Sequence, residues 1–211
     1  MKTFKQLRQE ARAALKGNWG EAVLATLVLV IVVSVFEVPS FMGTTAAKIG
    51  SMGASLIAIF VYSPLGVGFN NAFRKLLLEG NNKIIENSFR IGFKENYWRS
   101  VGGMLLMYVF IFLWMLLLIV PGIIMSFAYA LTPYILVDNP ELSITDAIKR
   151  SKKLMKGHKW DLFCLELSFI GWILLSILTL GVGLLWLEPY LITTIAGFYE
   201  DIKASAEPVS D

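Results

Sequence analysis

Long apolar runs alternate with short, basic polar segments along the 211-residue chain. A helix needs about 20 apolar residues to cross the hydrocarbon core of a bilayer. Six runs approach this length and predict six transmembrane helices, at about 21–38, 51–69, 101–120, 123–137, 161–180 and 184–199. Hydrophobic residues make up 56% of the chain and charged residues only 17%, against about 25% charged in a typical soluble domain. The pattern therefore predicts an all-α integral membrane protein.

A repeated pattern groups the six runs into three units. In each unit a basic segment leads to a tryptophan, and two apolar runs follow, of which the second contains a proline. The tryptophans and prolines that mark the units are Trp19, Trp98 and Trp160, with Pro64, Pro133 and Pro189. We interpret the chain as one membrane domain, 1–211, built from three hairpins, each preceded by a cytoplasmic amphipathic interfacial helix. The units span about 1–70, 71–138 and 139–200, and a polar tail covers 201–211.

The three basic segments have apolar positions at helical spacing, which is typical of helices that lie at a membrane surface. The first is predicted over Thr3–Lys16, with Thr3 and Gln6 as a capping box and Gly17 as its end. The second is indicated by apolar residues recurring every four positions. The third is predicted to begin at Ser143, capped with Asp146, and to run to Lys156. The apolar stripes are Phe4, Leu7, Ala11 and Leu15 in the first helix, and Ile85, Phe89 and Phe93 in the second.

Proline, glycine and polar residues predict the connections between the elements. We expect a loop over Pro39–Gly50 and a polar connection over Asn70–Trp98. Tight turns are expected at Pro121-Gly122 and at Gly181–Gly183, and the chain from Glu200 onwards is expected to fray. Within the second run, Gly66 and Gly68 would allow another helix to approach closely.

The distribution of positive charge predicts the topology. With both termini cytoplasmic, 18 of the 19 Lys and Arg residues lie on the cytoplasmic side, and only Lys48 lies outside. This asymmetry follows the positive-inside rule.

Few residues are available for chemistry. The chain has one cysteine, Cys164, and one histidine, His158, which excludes an internal disulfide and a zinc site made from these residue types. No phosphate-binding loop, dinucleotide-binding or metalloprotease motif is present. We therefore predict no catalytic residues, no metal and no cofactor, and a protein that is not an enzyme.

Carboxylates within apolar runs are the candidates for intramembrane function, because a charge at mid-bilayer costs about 2.5–3.5 kcal/mol. Glu188 precedes Pro189, whose ring frees a backbone carbonyl one turn back, so it is a candidate for binding a cation or a proton. The other interpretation is that Glu188 is protonated and bonded to a neighbouring helix, or that it is solvated because it lies close to the outer surface. Glu166 is expected to pair with Lys159 or with an arginine of a surface helix, and Glu37 is expected to be solvated at the outer interface. The proline-containing helices at Pro64, Pro133 and Pro189 complete this candidate set.

The residues at each membrane entrance are predicted to be interfacial anchors. These are Trp19, Trp98, Trp160, Lys16, Lys156 and His158. Basic helices with apolar stripes next to membrane spans favour contact with anionic lipid head groups over nucleic acid. The predicted partners are therefore the bilayer and its anionic lipids, with a protein partner or a second copy of the chain as further candidates.

Several motifs resemble one known family. They are Tyr134-Ile-Leu-Val-Asp-Asn-Pro140, Ala147-Ile-Lys-Arg-Ser151, Leu154-Met-Lys-Gly-His-Lys-Trp160, Leu167-Ser-Phe-Ile-Gly-Trp172, Leu180-Gly-Val-Gly183 and Leu15-Lys-Gly-Asn-Trp19. They resemble the bacterial multi-pass membrane family known as domain of unknown function 975, and more loosely the membrane domain attached to some glycerophosphodiester phosphodiesterases. The resemblance implies six spans in the bacterial cytoplasmic membrane and no established activity. The chain has no room for the phosphodiesterase barrel, so that activity is not implied.

Two functional hypotheses follow. The first is a non-enzymatic membrane scaffold that binds lipid or protein, because the repeated features are anchors rather than reactive groups. The second is a small-solute or ion transporter or channel that uses its proline-broken helices and Glu188.

Overall fold

The computed structural model describes residues 2–41 and 45–206, without the side chains of 35–57. These residues form eleven α-helices and one π-helical segment, and no strand occurs among them. The helices are α1 (Phe4–Leu15), α2 (Trp19–Phe41), α3 (Thr45–Glu79), α4 (Ile84–Phe89), the π-helix (Arg90–Glu95), α5 (Tyr97–Leu117), α6 (Ile119–Tyr129), α7 (Thr132–Asp138), α8 (Ile144–Leu154), α9 (Lys159–Leu167), α10 (Ile170–Leu178) and α11 (Leu184–Ala206).

Three helical stretches among the described residues are long and apolar enough to cross a membrane. They are Tyr97–Leu117, Ile119–Asp138 and Lys159–Leu178. A fourth is added if α1 and the Trp19–Ser34 part of α2, which are bent by 96° at their junction, count as one broken span. The architecture is therefore all-helical, with three to four candidate spans by length and composition, and it fits a membrane protein.

The second helix of each predicted pair occupies the centre of the bundle. About 56% of the most apolar stretch of Ile119–Asp138 is buried, against 28% for Tyr97–Leu117 and 22% for Lys159–Leu178. Helix α11 also lies at the centre and packs on α3. The rings of Tyr134 in α7 and Tyr199 in α11 stack with their centroids 5.0 Å apart. The helices α3, α7 and α11 thus form the core, and α5 and α10 each carry many exposed apolar side chains.

Helix α6 folds back along α5. Phe110 lies 6.3 Å from Tyr129 between ring centroids, and Gly122 lies against the backbone of Met115. The predicted turn at Pro121-Gly122 is wrong, because the helix breaks at Leu118. Pro121 instead lies in the first turn of α6, where its missing N–H costs no helical hydrogen bond. Because Gly122 has no side chain, the backbones of α5 and α6 can approach each other closely there.

A backbone-to-backbone crossing joins α3 to the segment formed by α4 and the π-helix. A Cβ built on Gly68 would lie 1.9 Å from the Ser88 carbonyl oxygen, and one built on Gly92 would lie 2.0 Å from the Pro64 carbonyl oxygen. The prediction of close approach at Gly68 is confirmed, whereas Gly66 has no atom within 4 Å of its built Cβ.

The polar connection predicted over Asn70–Trp98 is wrong in its first part, because α3 continues as a helix to Glu79. The rest of that segment folds into α4 and the π-helix, and these pack into the bundle through buried Ile84 and Ile91. The predicted stripe of Ile85, Phe89 and Phe93 lies on the less buried side. The apolar spacing therefore located the helix, and the fold decided which of its faces is covered.

Other helix ends also differ from the prediction. The chain from Glu200 to Ala206 is the last part of α11 and not a frayed tail, since its polar side chains have partners in the bundle. Residues 39–41 and 45–50, which were predicted to lie in a loop, are helical, because α2 reaches Phe41 and α3 starts at Thr45. Residues 42–44 and 207–211 and the side chains of Glu37 and Lys48 lie outside the described residues. The turn predicted at Gly181–Gly183 is present and begins earlier, at Thr179.

The first and third surface helices form as predicted. Thr3 and Gln6 make a complete capping box at α1, and the Ser143 side chain caps α8. Gly17 and Gly157, which follow the two helices, have φ angles of 87° and 92°, a left-handed conformation that favours glycine.

The apolar faces of these two helices contact protein. Leu7, Ala11 and Leu15 of α1 are fully buried, and α1 packs along α11. In α8, Ala147 and Ile148 are buried in the same way. The apolar stripes are therefore occupied by the bundle, and the basic faces stay exposed.

Candidate functional site

Charged side chains from the three core helices meet at one end of the bundle. Arg74 of α3 donates from Nη2 to Asp138 Oδ2 at 2.9 Å and from Nη1 to Asp138 Oδ1. Its Nε donates to Glu200 of α11. The Lys203 ammonium and the Tyr199 hydroxyl each donate to Asp138 Oδ2 at 2.8 Å. We call this set the core ion cluster, and the end of the bundle that contains it the basic end.

The core ion cluster is balanced in charge, with two cations and two carboxylates. The side chains of Arg74 and Asp138 are only 13% and 11% exposed. Burial alone would lower the pKa of the Arg74 guanidinium, but the Asp138 and Glu200 carboxylates raise it above its ordinary value. The guanidinium therefore stays charged and saturated with acceptors. This arrangement favours a structural junction between the three helices over a site for an added ion.

A second arginine fixes the connection between α7 and α8 at the same end. Arg99, at the start of α5, donates through all three nitrogens to the backbone carbonyls of Leu136, Asn139 and Leu142. These carbonyls lie where α7 ends and the chain turns towards α8. The planar guanidinium thus satisfies backbone acceptors that a helix terminus leaves open.

A basic cleft of about 400 Å³ opens between α8 and the end of α11. Five residues with basic side chains line it, and the remainder of its wall comes from Leu154 of α8 and from the end of α11. The basic residues are Arg150, Lys153, Lys156, His158 and Lys203.

An aromatic cleft of about 360 Å³ lies between α10 and α11 and reaches α1. Its walls are apolar, and the single charged residue that lines it is Arg12. Its aromatic members are Trp19, Trp172, Trp186 and Tyr190. The hydroxyls of Ser176 and Thr179 also line the cleft, but each donates to a carbonyl of its own helix, at 2.8 Å in both cases.

The arginines of α1 lie over aromatic rings beside this cleft. The guanidinium carbon of Arg12 is 5.4 Å from the Tyr190 ring centroid and 6.0 Å from that of Trp172. Arg8 lies 6.0 Å from the ring centroid of Phe169. Among the described residues neither guanidinium forms an ion pair or a hydrogen bond. Their N–H donors therefore remain free for an anion.

The two candidate glutamates lie apart from the core ion cluster. Glu188 is half-buried in α11 and Glu166 is half-buried in α9. Within the described part of the chain, neither carboxylate has an ion-pair partner. The expected pairing of Glu166 with Lys159 or an arginine of a surface helix is therefore not found among the described residues. The predicted binding of a cation or a proton by Glu188 stays a prediction.

The three prolines occupy buried positions in or beside the core helices, with different local effects. Pro64 and Pro189 lie inside the continuous helices α3 and α11. Pro133 lies in the first turn of α7, just after the break at Ala130-Leu131. The Pro133 carbonyl accepts a 2.9 Å hydrogen bond from the Asn71 side chain of α3. Of the three prolines, only Pro133 thus lies next to a break in a helix.

The predicted anchors divide into two groups. Trp98 and Trp160 are 74% and 70% exposed, and Lys16 and Lys156 are exposed as well. Trp19 is instead half-buried in the wall of the aromatic cleft. His158 is the N-cap residue of α9, and its Nδ1 lies 3.1 Å from Asp161 Oδ2.

Sequence reasoning missed most of the residues that the bundle brings together. Arg74, Arg12 and Lys203 entered it as positive charges, without partners. Trp172 lies well inside an apolar run rather than at its end, and this position is a sequence signal that could have indicated a cleft. The structure also shows no group of three or more His, Cys, Asp or Glu residues suited to a metal among the residues it describes.

The comparisons place the chain in a family. The model of the family described as "Protein of unknown function (DUF975)" matches residues 1–125 and 115–206. The chain therefore belongs to this family, as its motifs indicated. No curated protein and no solved structure matches it, so the looser likeness to the phosphodiesterase membrane domain has no support.

Proposed function

We propose that this protein is a non-enzymatic, multi-pass scaffold of the bacterial cytoplasmic membrane that gathers anionic lipids at its cytoplasmic face. Its six spans form three hairpins, with both termini cytoplasmic. Each hairpin follows a basic helix, and the three basic helices form a collar around the basic end.

Two features support the hairpin arrangement. The proline-containing helix of each unit lies in the core, so the three units contribute equivalent helices to the centre. The left-handed glycines Gly17 and Gly157 follow the first and third surface helices in the same context, just before a tryptophan. A repeated local conformation at a repeated sequence position favours a shared ancestral unit.

The observation that carries the lipid-binding function is the exposed basic face of α8. Its apolar face is already buried against the bundle, so the lysines on the opposite side do not serve packing. Those lysines are Lys149, Lys152, Lys153 and, just beyond the helix, Lys156. Among the described residues, only Lys149 of this group has an acidic partner, Asp146, in an exposed pair. Each basic residue near an acidic membrane surface contributes about 1 kcal/mol of attraction.

The test is to place the full chain in nanodiscs that contain equal amounts of phosphatidylglycerol and phosphatidylcholine, and to measure which lipid is enriched around it. We expect phosphatidylglycerol to be enriched, and the triple variant Lys149→Gln/Lys152→Gln/Lys153→Gln to lose most of that enrichment. The matched Lys→Arg triple variant should retain it, because the charge is kept. If the Gln variant enriches phosphatidylglycerol as strongly as the wild type, the lipid-gathering function is wrong.

A transporter is the second candidate, favoured by Glu188. A half-buried carboxylate without a partner in the described part of the chain, beside Pro189 in a core helix, is the type of group that binds cations or protons in transporters. Under this function Glu188→Gln would abolish proton- or solute-linked flux in proteoliposomes. Glu166→Gln, which removes another unpaired carboxylate from an outer helix, is the matched control and would leave the flux unchanged.

A further inference from the structure

We infer that the aromatic cleft holds one anionic phospholipid, with its phosphate at Arg12 and one acyl chain along the wall between α10 and α11. This inference rests on the proposed lipid-binding function and narrows it to a single, stoichiometric site. It differs from the collar, which attracts many lipids through exposed lysines.

The shape of the aromatic cleft suits an acyl chain. Its volume of about 360 Å³ falls within the range of about 300–1,000 Å³ found for small-molecule sites. Trp172, Leu175 and Trp186 on its rim are each about half exposed, so a chain can enter sideways from the bilayer. Because the hydroxyls of Ser176 and Thr179 are already bonded within their helices, the walls offer apolar contact and no unmet polar group.

Arg12 supplies the polar end of the site. Its guanidinium carbon lies within 6.0 Å of the ring centroids of Tyr190 and Trp172, close enough for a cation–π attraction, and its N–H edge forms no hydrogen bond with a described residue. The edge presents paired donors that match two oxygens of a phosphodiester. Since no described carboxylate neutralises the charge of Arg12, a bound anion would neutralise it.

The geometry favours a lipid over a protein helix as the occupant. A helix with its side chains is about 10–12 Å across, and a cleft of about 360 Å³ is too small to accept one. An apolar slot that ends in a single cation matches an amphiphile with one anionic head. Because the cleft combines apolar walls with one cation, the ligand class that matches it is an anionic lipid.

The test is native mass spectrometry of the full chain released from mild detergent and titrated with phosphatidylglycerol or phosphatidylcholine of identical acyl chains. We expect one phosphatidylglycerol to bind more tightly than phosphatidylcholine. Arg12→Gln should weaken phosphatidylglycerol binding about tenfold, and Arg12→Lys should weaken it less, because the charge remains although the paired donors are lost. Leu175→Trp should weaken both lipids by filling the cleft from its exposed rim. Lys5→Gln, which removes one charge from the exposed face of α1, is the matched control and should bind like the wild type.

Two outcomes would overturn the inference. Unchanged phosphatidylglycerol binding in both Arg12→Gln and Leu175→Trp would place the lipid elsewhere. Equal binding of the two lipids that responds to Leu175→Trp and not to Arg12→Gln would show an acyl groove without recognition of the phosphate. The lysines of α8 do not line this cleft, so a failure of the collar and a failure of the cleft are distinguished by separate variants.

Discussion

Arg74 and Asp138 form a two-point ion pair between α3 and α7, although 64 residues separate them along the chain. Lys203, Tyr199 and Glu200 connect α11 to the same pair. The three core helices are thus joined at the basic end by charge, in addition to the apolar packing and the hydrogen bond between Asn71 and Pro133 that join them elsewhere. Because of this junction, a single substitution that removes one of these charges is expected to destabilise the bundle.

The first prediction concerns Asp138, which accepts hydrogen bonds from three residues. Asp138→Asn leaves Lys203 without a counter-charge and Arg74 with Glu200 as its one remaining carboxylate partner in the cluster, and removing one partner of a largely buried ion pair costs about 3–5 kcal/mol. We expect a clearly lower midpoint temperature for loss of the monodisperse peak in size-exclusion chromatography. Asp146→Asn, in an exposed pair with Lys149, is the control and should change the midpoint little. Equal losses in both variants would contradict the structural role of the core ion cluster.

The second prediction compares three glycines. Gly68→Ala and Gly92→Ala each place a methyl group about 2 Å from a backbone carbonyl oxygen, so we expect destabilisation of about 1–3 kcal/mol or more. Gly66→Ala, two residues from Gly68 in the same helix and facing open space, should stabilise the protein slightly, because alanine favours the helix by about 1 kcal/mol over glycine. Thermal stability in one detergent checks all three. A Gly68→Ala protein as stable as Gly66→Ala would mean that α3 and α4 do not cross at this point.

The third prediction contrasts two glutamates of α11. Glu200→Gln weakens the ion pair with Arg74 and should destabilise the protein by about 1.5–3 kcal/mol. Glu188→Gln removes a half-buried carboxylate that has no partner among the described residues, so the stability should stay unchanged or rise, because the desolvation cost of a charge disappears. The midpoint temperature should therefore fall for Glu200→Gln and stay unchanged or rise for Glu188→Gln. A large loss for Glu188→Gln would reveal a partner for this carboxylate.

The fourth prediction concerns Arg99 and its three backbone acceptors. Arg99→Lys keeps the charge, but an ammonium group lacks the planar fork that reaches all three carbonyls. We expect faster proteolytic cleavage in the connection between α7 and α8, at residues 139–143, with the overall fold retained. Arg8→Lys, on a helix away from this connection, should leave the cleavage rate unchanged, and an equal increase in both variants would argue against the role of Arg99.

Much of the secondary structure is local and was predictable. The capping box of Thr3 and Gln6 and the cap of Ser143 depend on residues three positions apart, so the sequence states them directly. Gly68 was also recognised as a close-approach position. The turn at Pro121-Gly122 was misplaced because a proline in the first turn of a helix and a proline in a turn look alike in sequence. The end of α11 was missed because its polar residues look like a solvated tail until their partners in α3 and α7 are known.

The sequence by itself determined the all-helical class, the family and the asymmetric placement of positive charge, because these depend on composition, local spacing and motifs. The tertiary structure alone decided that α3, α7 and α11 form the core and that α1 and α8 turn their apolar faces to protein. It also decided that Arg74, Asp138 and Lys203 share one site and that Arg12 meets Trp172. Such contacts join residues far apart in the chain, and a one-dimensional pattern of apolar and basic positions contains no information on which faces meet.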